Sequence, residues 1–249
     1  MTEIQYGLKL WSTNAHLLPD AEKSVKEGVF HYVELTPIPG TQIGLFSAYD
    51  LPYVIHATTE RDGVNIADPS KNRYNQERIG ECIRWADVLG AKKIIIHPGF
   101  GRSEDAKKFL GGIDDPRIII ENMPMKGLGG ERMIGYTAEQ LQELSGGRFG
   151  FCLDFGHAIK ASASLRKPYA EHIEELLALK PSIFHISDGF LGREEDEHLE
   201  IGAGEYDLAF LMECVRKNRD RRITLETPRK NHNSIDDDIK NLKRLEKIR

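Results

Sequence analysis

The chain has 249 residues, which is enough to bury a sizeable core and matches a single (β/α)8 barrel better than two domains. Its 34 basic and 39 acidic residues give a formal net charge of −5, which argues against a protein that holds nucleic acid by bulk positive charge. The 3 cysteines include no CxxC pair, which excludes a disulfide framework and fits a reducing cytosol.

Short apolar runs rich in β-branched residues recur along the chain, and segments with helical periodicity separate them. The predicted strands are residues 4–10, 32–35, 54–57, 94–97, 118–122, 149–154, 183–187 and 223–227. Runs that are apolar on both faces and alternate with amphipathic helices are typical of a parallel sheet. With right-handed crossovers, these units predict a single α/β domain over residues 1–249, a (β/α)8 TIM barrel.

Three segments have the apolar stripe of an amphipathic helix: residues 73–90, a segment that begins at Pro168, and residues 235–245. The second unit has room only for a short helix within residues 43–49. The chain has no apolar stretch long enough to span a bilayer and begins without a secretory signal pattern. We therefore expect a soluble, cytoplasmic protein.

Histidine, aspartate and glutamate residues recur at or just after the carboxyl ends of the predicted strands. They are His56 in VIHA, His97 in IIIHP, Glu121 in IIIEN, Asp154 and His157 in CLDFGH, His185 in FHISD, Asp196 and His198 in DEH, and Glu226 in TLET. In a TIM barrel these strand ends meet at the face that carries the active site. Imidazole and carboxylate ligands suit zinc, manganese or iron(II). The pattern predicts a catalytic, multinuclear metal site.

The DEH segment carries two of these residues. Asp196 and His198 are two positions apart, a spacing that turns both side chains to the same side of an extended loop. Such a pair needs a further ligand, and His157 is the nearest candidate. The glycines in GLGG and GAG do not form a GxGxxG turn between a strand and a helix, so we expect no nucleotide cofactor.

The ordered segments resemble the endonuclease IV family (AP endonuclease family 2), within the superfamily of xylose-isomerase-like barrels. The resemblance covers nearly the whole chain, and DEHLxxGxG is its most specific part. The segments that carry it are VIHA, IIIHPG, IIIENMPMKGLGG, FCLDFGHA, FHISDG, DEHLEIGAGEYD and ITLETP.

The resemblance implies two to three zinc ions, with Mn²⁺ as an alternative at one site, and assigns ligands to each ion. The ligand sets are His56, His97 and Glu121 for the first ion, Glu121, Asp154, His185 and Glu226 for the second, and His157, Asp196 and His198 for the third. Glu121, which would bridge two ions, and Glu226 are thereby the predicted catalytic residues. Cations at such a site depress the pKa of water to about 7 and so supply a nucleophile at neutral pH.

The implied substrate is duplex DNA with an abasic or damaged site, which is extruded and cleaved on its 5′ side. Extrusion costs least where no base is stacked or paired. The implied enzyme has no membrane partner and is expected to be a monomer. Basic residues near the carboxyl face are candidates for phosphate contacts. They are Arg61, Lys71, Arg73, Arg102, Lys126, Arg132, Lys160, Arg193, Arg229 and Lys230.

Two other interpretations stay open. A sugar isomerase or epimerase on the same barrel would bind one divalent ion through Glu121, Asp154, His185 and Glu226, with the two glutamates moving protons. His56, Asp196 and His198 favour the nuclease, because a mononuclear sugar site does not need the ligands of a third ion. A non-catalytic DNA-binding or metal-binding derivative would have a ligand missing, and the sequence has a matching residue at every position.

Overall fold

Residues 3–248, which the computed structural model describes, contain eight parallel strands that close into a barrel in sequence order. The strands are β1 (Gln5–Trp11), β2 (Tyr32–Thr36), β3 (Tyr53–His56), β4 (Ile94–Ile96), β5 (Ile118–Glu121), β6 (Gly150–Asp154), β7 (Ile183–Ile186) and β8 (Arg222–Leu225). Pairing of β1 with β8, in the register Gln5↔Arg222 to Leu8↔Leu225, closes the barrel. The predicted fold class and strand positions are confirmed, with small shifts at the strand ends.

Helices between the strands surround the barrel. They are α1 (Leu18–Lys26), α2 (Gly44–Ser47), α3 (Asn72–Leu89), α4 (Ser103–Gly111), α5 (Ala138–Ser145), α6 (Phe155–Leu165), α7 (Tyr169–Leu177), α8 (Leu208–Lys217) and α9 (Asp236–Leu245). Short 3-10 helices lie at Ser12–Leu17, Glu60–Asp62 and Pro69–Lys71. The three predicted amphipathic helices correspond to α3, α7 and α9, and the short helix of the second unit is α2. Pro168 is the N-cap of α7 rather than its first residue.

The strands are buried on both faces, and alternate residues serve two different apolar layers. In β4, Ile94 and Ile96 pack with the helices in the large core cluster, whereas Ile95 lies in a smaller cluster inside the barrel. This inner cluster consists of Tyr32, Val54, Ile95, Ile119, Cys152 and Ile183, one from each of β2 to β7. It fills the barrel below the carboxyl ends of the strands, so the next inward-facing residues form the top of the interior.

Within residues 3–248, no helix combines the length and the apolar character that crossing a membrane requires.

Candidate metal centre

The polar residues at the strand ends face the barrel interior because each follows an inward-facing residue by two positions. Side chains in a strand alternate between its faces, so residues i and i+2 share one face. Thus Val54 of the inner apolar cluster is followed by His56, and Ile119 by Glu121. The same spacing relates Ile95 to His97, Cys152 to Asp154 and Ile183 to His185. Strand periodicity therefore brings residues that are distant in sequence to one level of the barrel.

Glu121 lies at the centre of this level, with its side chain 1% exposed. Its Oε2 atom is 3.1 Å from His56 Nε2 and 3.3 Å from His97 Nε2. Its Oε1 atom is 3.2 Å from His185 Nδ1 and 3.4 Å from His157 Nδ1. Both oxygens of one buried carboxylate thus face pairs of imidazoles, an arrangement that suits a ligand shared by two cations.

Two further groups of contacts extend from His185 and from the DEH segment. His185 Nδ1 is 3.8 Å from Asp154 Oδ2 and 3.4 Å from Glu226 Oε1. Asp196 Oδ2 is 2.8 Å from His198 Nε2 and 3.5 Å from His157 Nε2. His198 Nε2 also lies 3.5 Å from Glu226 Oε2, which links the two groups.

All nine residues predicted from the sequence therefore lie in one connected cluster, which we call the metal centre. Donor atoms of His56, His97 and Glu121 lie within 4.8 Å of one another, as do those of Asp154, His157 and His198. Neutral imidazole and carboxylate donors at this spacing fit zinc or a similar divalent ion. The residues present thus fit the metal that the sequence suggests, while the assignment of each ligand to an ion stays a prediction.

Hydrogen bonds outside the centre orient its histidines. Glu60 Oε2 lies 3.1 Å from His97 Nδ1, which leaves His97 Nε2 facing Glu121. The side chain of Asn122 accepts from Asp154 N at 2.8 Å, and its backbone oxygen lies 2.8 Å from His157 Nδ1. Such partners fix the ring orientation of metal-binding histidines. The centre is therefore held in shape by the protein itself.

The pKa values show how charge is balanced in the protein alone. Burial would lower the pKa of His97, but Glu60 and Glu121 raise it to about 10. Burial would also lower the pKa of His198, but Asp196 outweighs it and the pKa is raised to about 9. Burial raises the pKa of Asp154 to about 6, with Glu121 and Glu226 adding to the rise and His157 opposing it. Protons on the imidazoles thus offset the carboxylates, and a bound cation would displace them.

Two buried residues of this level were missed by the sequence analysis, Glu34 of β2 and Lys9 of β1. Glu34 is fully buried, its Oε2 lies 3.0 Å from His185 Nε2, and its Oε1 accepts from Lys9 Nζ at 2.6 Å. The i+2 spacing could have found Glu34, since it follows Tyr32 of the inner apolar cluster. Glu60, the partner of His97, was also missed, because it lies in the short 3-10 helix Glu60–Asp62, to which the strand periodicity does not apply.

The loop that carries Asp196 and His198 is not extended throughout, although the two side chains meet as their spacing predicts, with Asp196 Oδ2 2.8 Å from His198 Nε2. His198 has φ of +48°, a left-handed conformation that few non-glycine residues adopt. Its neighbour Leu199 forms a two-way backbone bridge with Asp188, with N···O distances of 2.8 and 3.1 Å. On the other side, Glu197 Oε2 accepts from Phe190 N at 2.9 Å. These anchors hold His198 in its strained conformation.

Lys160 of α6 anchors the same loop through two hydrogen bonds. Its side chain is fully buried, and Nζ donates to Glu197 Oε2 at 2.7 Å and to the Phe190 carbonyl at 2.8 Å. Lys160 lies one helical turn after His157, so one helix supplies both a residue of the centre and the anchor for the loop that carries two others. The predicted role of Lys160 in phosphate contacts is therefore wrong, because its ammonium is used inside the protein.

We expect Lys160→Met to destabilise the protein by about 3 kcal/mol, the low end for a broken buried ion pair, since Glu197 keeps some solvent contact. Urea unfolding followed by circular dichroism measures this change. The matched control is Lys126→Met, because Lys126 pairs at 3.5 Å with Glu195 of the same loop but is 42% exposed. That variant should change stability by less than about 0.5 kcal/mol. Equal effects in both variants would contradict the anchoring role.

A cavity of about 790 Å³ opens above the centre. Arg61 and Lys126, two of the predicted phosphate contacts, line it. Arg229 lines it too, but its guanidinium donates to both carboxylate oxygens of Asp238 at 2.7 and 2.9 Å, so its predicted role in phosphate contacts is wrong. Trp11 and Leu128, which are 43% and 61% exposed, add apolar surface at the mouth.

Comparison with known proteins places this geometry in context. Residues 43–245 match the family model described as xylose isomerase-like TIM barrel. A protein named probable endonuclease 4, from Mesomycoplasma hyopneumoniae strain 7448, is 29% identical over 171 residues. That match covers 61% of this chain and 61% of the relative. The chain therefore matches under two thirds of that relative's length.

Two solved structures share the fold over almost the whole chain. A D-tagatose 3-epimerase-like protein superposes with a TM-score of 0.75 at 22% identity, covering 98% of this chain and 97% of the other. Endonuclease IV from Thermus thermophilus superposes with a TM-score of 0.72 at 22% identity, covering 97% of each chain. At these identities the similarity shows the barrel, which both a nuclease and an epimerase-like protein use.

Proposed function

The chain belongs to the xylose isomerase-like TIM barrel family, and from this premise we propose that it is a metal-dependent phosphodiesterase that cleaves duplex DNA on the 5′ side of abasic sites. The observation that carries the proposal is the third group of the centre. Asp196 and His198 face His157 at the end of the cluster, beyond the residues that a single ion could use. A relative named probable endonuclease 4 supports the same reaction class.

The number of donors favours more than one cation. Zinc in proteins takes four ligands, or three with one open position in catalytic sites. The nine residues of the metal centre offer several such sets, of which His56, His97 and Glu121 form one and Asp154, His157 and His198 another. Cations at these sets would lower the pKa of water and neutralise charge on a phosphate and on the leaving oxygen.

The chain's own residues would then bind and orient the substrate. The cavity of about 790 Å³ has room for an extruded nucleotide, and an abasic nucleotide costs least to extrude. Arg61 is exposed at its wall and is available for a DNA phosphate. Glu121, whose two oxygens face two pairs of imidazoles, would be a ligand shared between cations, and Glu226, which follows β8, would be a ligand beside His185.

The second candidate is a sugar isomerase or epimerase. It is favoured by one observation, the quartet Glu121, Asp154, His185 and Glu226, in which both glutamates and the aspartate surround His185 Nδ1 within 3.8 Å. One cation held there would polarise a sugar carbonyl while the glutamates moved protons. A site for one cation at this quartet would give Asp196 and His198 no role in metal binding, and we therefore rank this activity second.

The test combines cleavage with elemental analysis of the same preparation. The substrate is a duplex with one tetrahydrofuran abasic analogue, and the matched control is the undamaged duplex. We expect a single cut 5′ to the analogue that leaves a 3′ hydroxyl, is lost with a chelator and returns with Zn²⁺ or Mn²⁺, together with two to three metals per chain. One metal per chain, no cleavage and interconversion of ketohexoses would replace the nuclease with the sugar enzyme.

A further inference from the structure

A buried ammonium contacts two carboxylates at the level of the metal centre. Lys9 Nζ donates to Glu34 Oε1 at 2.6 Å and to Glu226 Oε1 at 2.8 Å. The Lys9 side chain is 9% exposed and that of Glu34 is 0% exposed. Lysine is rarely buried to this degree unless it is paired. The two carboxylates therefore hold Lys9 in the interior, and Lys9 offsets their charges.

The surroundings of this ammonium have the composition of a metal site. The donor atoms of Glu34, His56, His185 and Glu226 lie within 4.8 Å of one another. Two of these four residues, Glu34 and Glu226, are the carboxylates that Lys9 contacts. The set overlaps the metal centre but includes Glu34, which belongs to none of the predicted ligand sets. A divalent ion bound by this set would lie within a few ångströms of the Lys9 ammonium. The two positive charges would repel each other.

Glu34 also determines which nitrogen His185 presents to the centre. Its Oε2 accepts from His185 Nε2 at 3.0 Å and from Thr224 Oγ1 at 2.6 Å. Tyr32 donates to Thr224 in turn, with the two oxygens 2.9 Å apart. A histidine that donates its Nε2 proton to a carboxylate offers Nδ1 to a cation, and Nδ1 is the atom that faces Glu121 and Glu226.

We propose that Lys9 is a resident cation of this site: its ammonium occupies the cation position of the Glu34, His56, His185 and Glu226 set, excludes a further metal ion and, through Glu34, positions His185. The inference rests on the proposed function only in that His185 and Glu226 bind metal. A covalently attached charge has the advantage that it is present at any concentration of free metal. Lys9 and Glu34 are thus positioning residues, which act on the metal through His185 and Glu226.

The experiment counts bound metal without any DNA. Lys9→Met ends one atom short of the Nζ position and carries no charge, and we expect it to bind about one more equivalent of Zn²⁺ than the unmodified protein in equilibrium dialysis. The matched control is Lys9→Met with Glu34→Gln, which removes one carboxylate of the set and should return the count to that of the unmodified protein. An unchanged count in folded Lys9→Met would overturn the exclusion of the ion.

Glu34→Gln alone tests the positioning role and serves where Lys9→Met does not fold. The amide of this variant carries no charge and accepts the hydrogen bond from His185 Nε2 less strongly than the carboxylate does. The visible absorption of Co²⁺ bound at the centre should therefore shift, while the number of bound Co²⁺ ions stays the same. An identical Co²⁺ spectrum would overturn the positioning of His185. Both readouts are independent of cleavage, so a failure of the nuclease proposal and a failure of this one give different results.

Discussion

Glu121→Gln is expected to reduce cleavage of the abasic duplex by more than about 100-fold. Loss of a residue that only orients a metal ligand costs about 10- to 100-fold, so this effect would be larger. Glu121 contacts four histidines, His56 and His97 through one oxygen and His157 and His185 through the other. Glutamine keeps the volume but has one acceptor and no charge, so it cannot bridge two cations. The strand should keep its shape, because its backbone pairs do not involve the side chain.

The same variant should lose metal as well as activity. Elemental analysis and steady-state cleavage kinetics on one preparation, with circular dichroism for the fold, make the measurement. Glu60→Gln is the matched control, since Glu60 contacts only His97 of the centre, at 3.1 Å from Nδ1. We expect that variant to lose between about 10- and 100-fold in metal affinity. Unchanged cleavage in Glu121→Gln would remove the bridging role from the proposal.

The fold was predictable because its determinants are local and repeated. Most strands are short runs that are apolar up to the carboxyl end, as with Ile94–Ile96 and Ile118–Glu121, and helical segments separate them. Closure of a parallel sheet then brings the carboxyl ends of all strands to one face. The nine residues of the metal centre could be identified for the same reason, since most of them stand at those ends.

The residues that the sequence analysis missed or misplaced depend on contacts between distant segments. Glu34 and Lys9 meet only because β1 and β2 pair side by side, with Lys9 opposite Glu34. A lysine at a strand end or in a helix has the same appearance in sequence whether it faces solvent or a buried carboxylate. Lys160 and Arg229 were therefore predicted as phosphate contacts, although Glu197 and Asp238 bind them inside the protein. The left-handed backbone at His198 likewise results from anchors on both sides of it.

A second large effect is expected from His198→Ala. This variant distinguishes a metal centre that binds three ions from one that binds two. His198→Ala removes the imidazole whose Nε2 lies 2.8 Å from Asp196 and 3.5 Å from Glu226. We expect the loss of about one equivalent of metal, because only two of the three donors of the third site, His157 and Asp196, remain. Cleavage should fall by about 10²- to 10³-fold, the cost of removing one group that stabilises charge in a transition state.

His31→Ala is the control for the loss of a histidine as such, since His31 precedes β2 at the opposite end of the barrel, where its Nδ1 accepts from Tyr6 N at 3.1 Å. That variant should keep its full metal content and its activity. For His198→Ala, metal content by elemental analysis and kcat on the abasic duplex are measured together. Full metal content with normal cleavage would show that His198 holds no ion, and the third ion would be removed from the proposal.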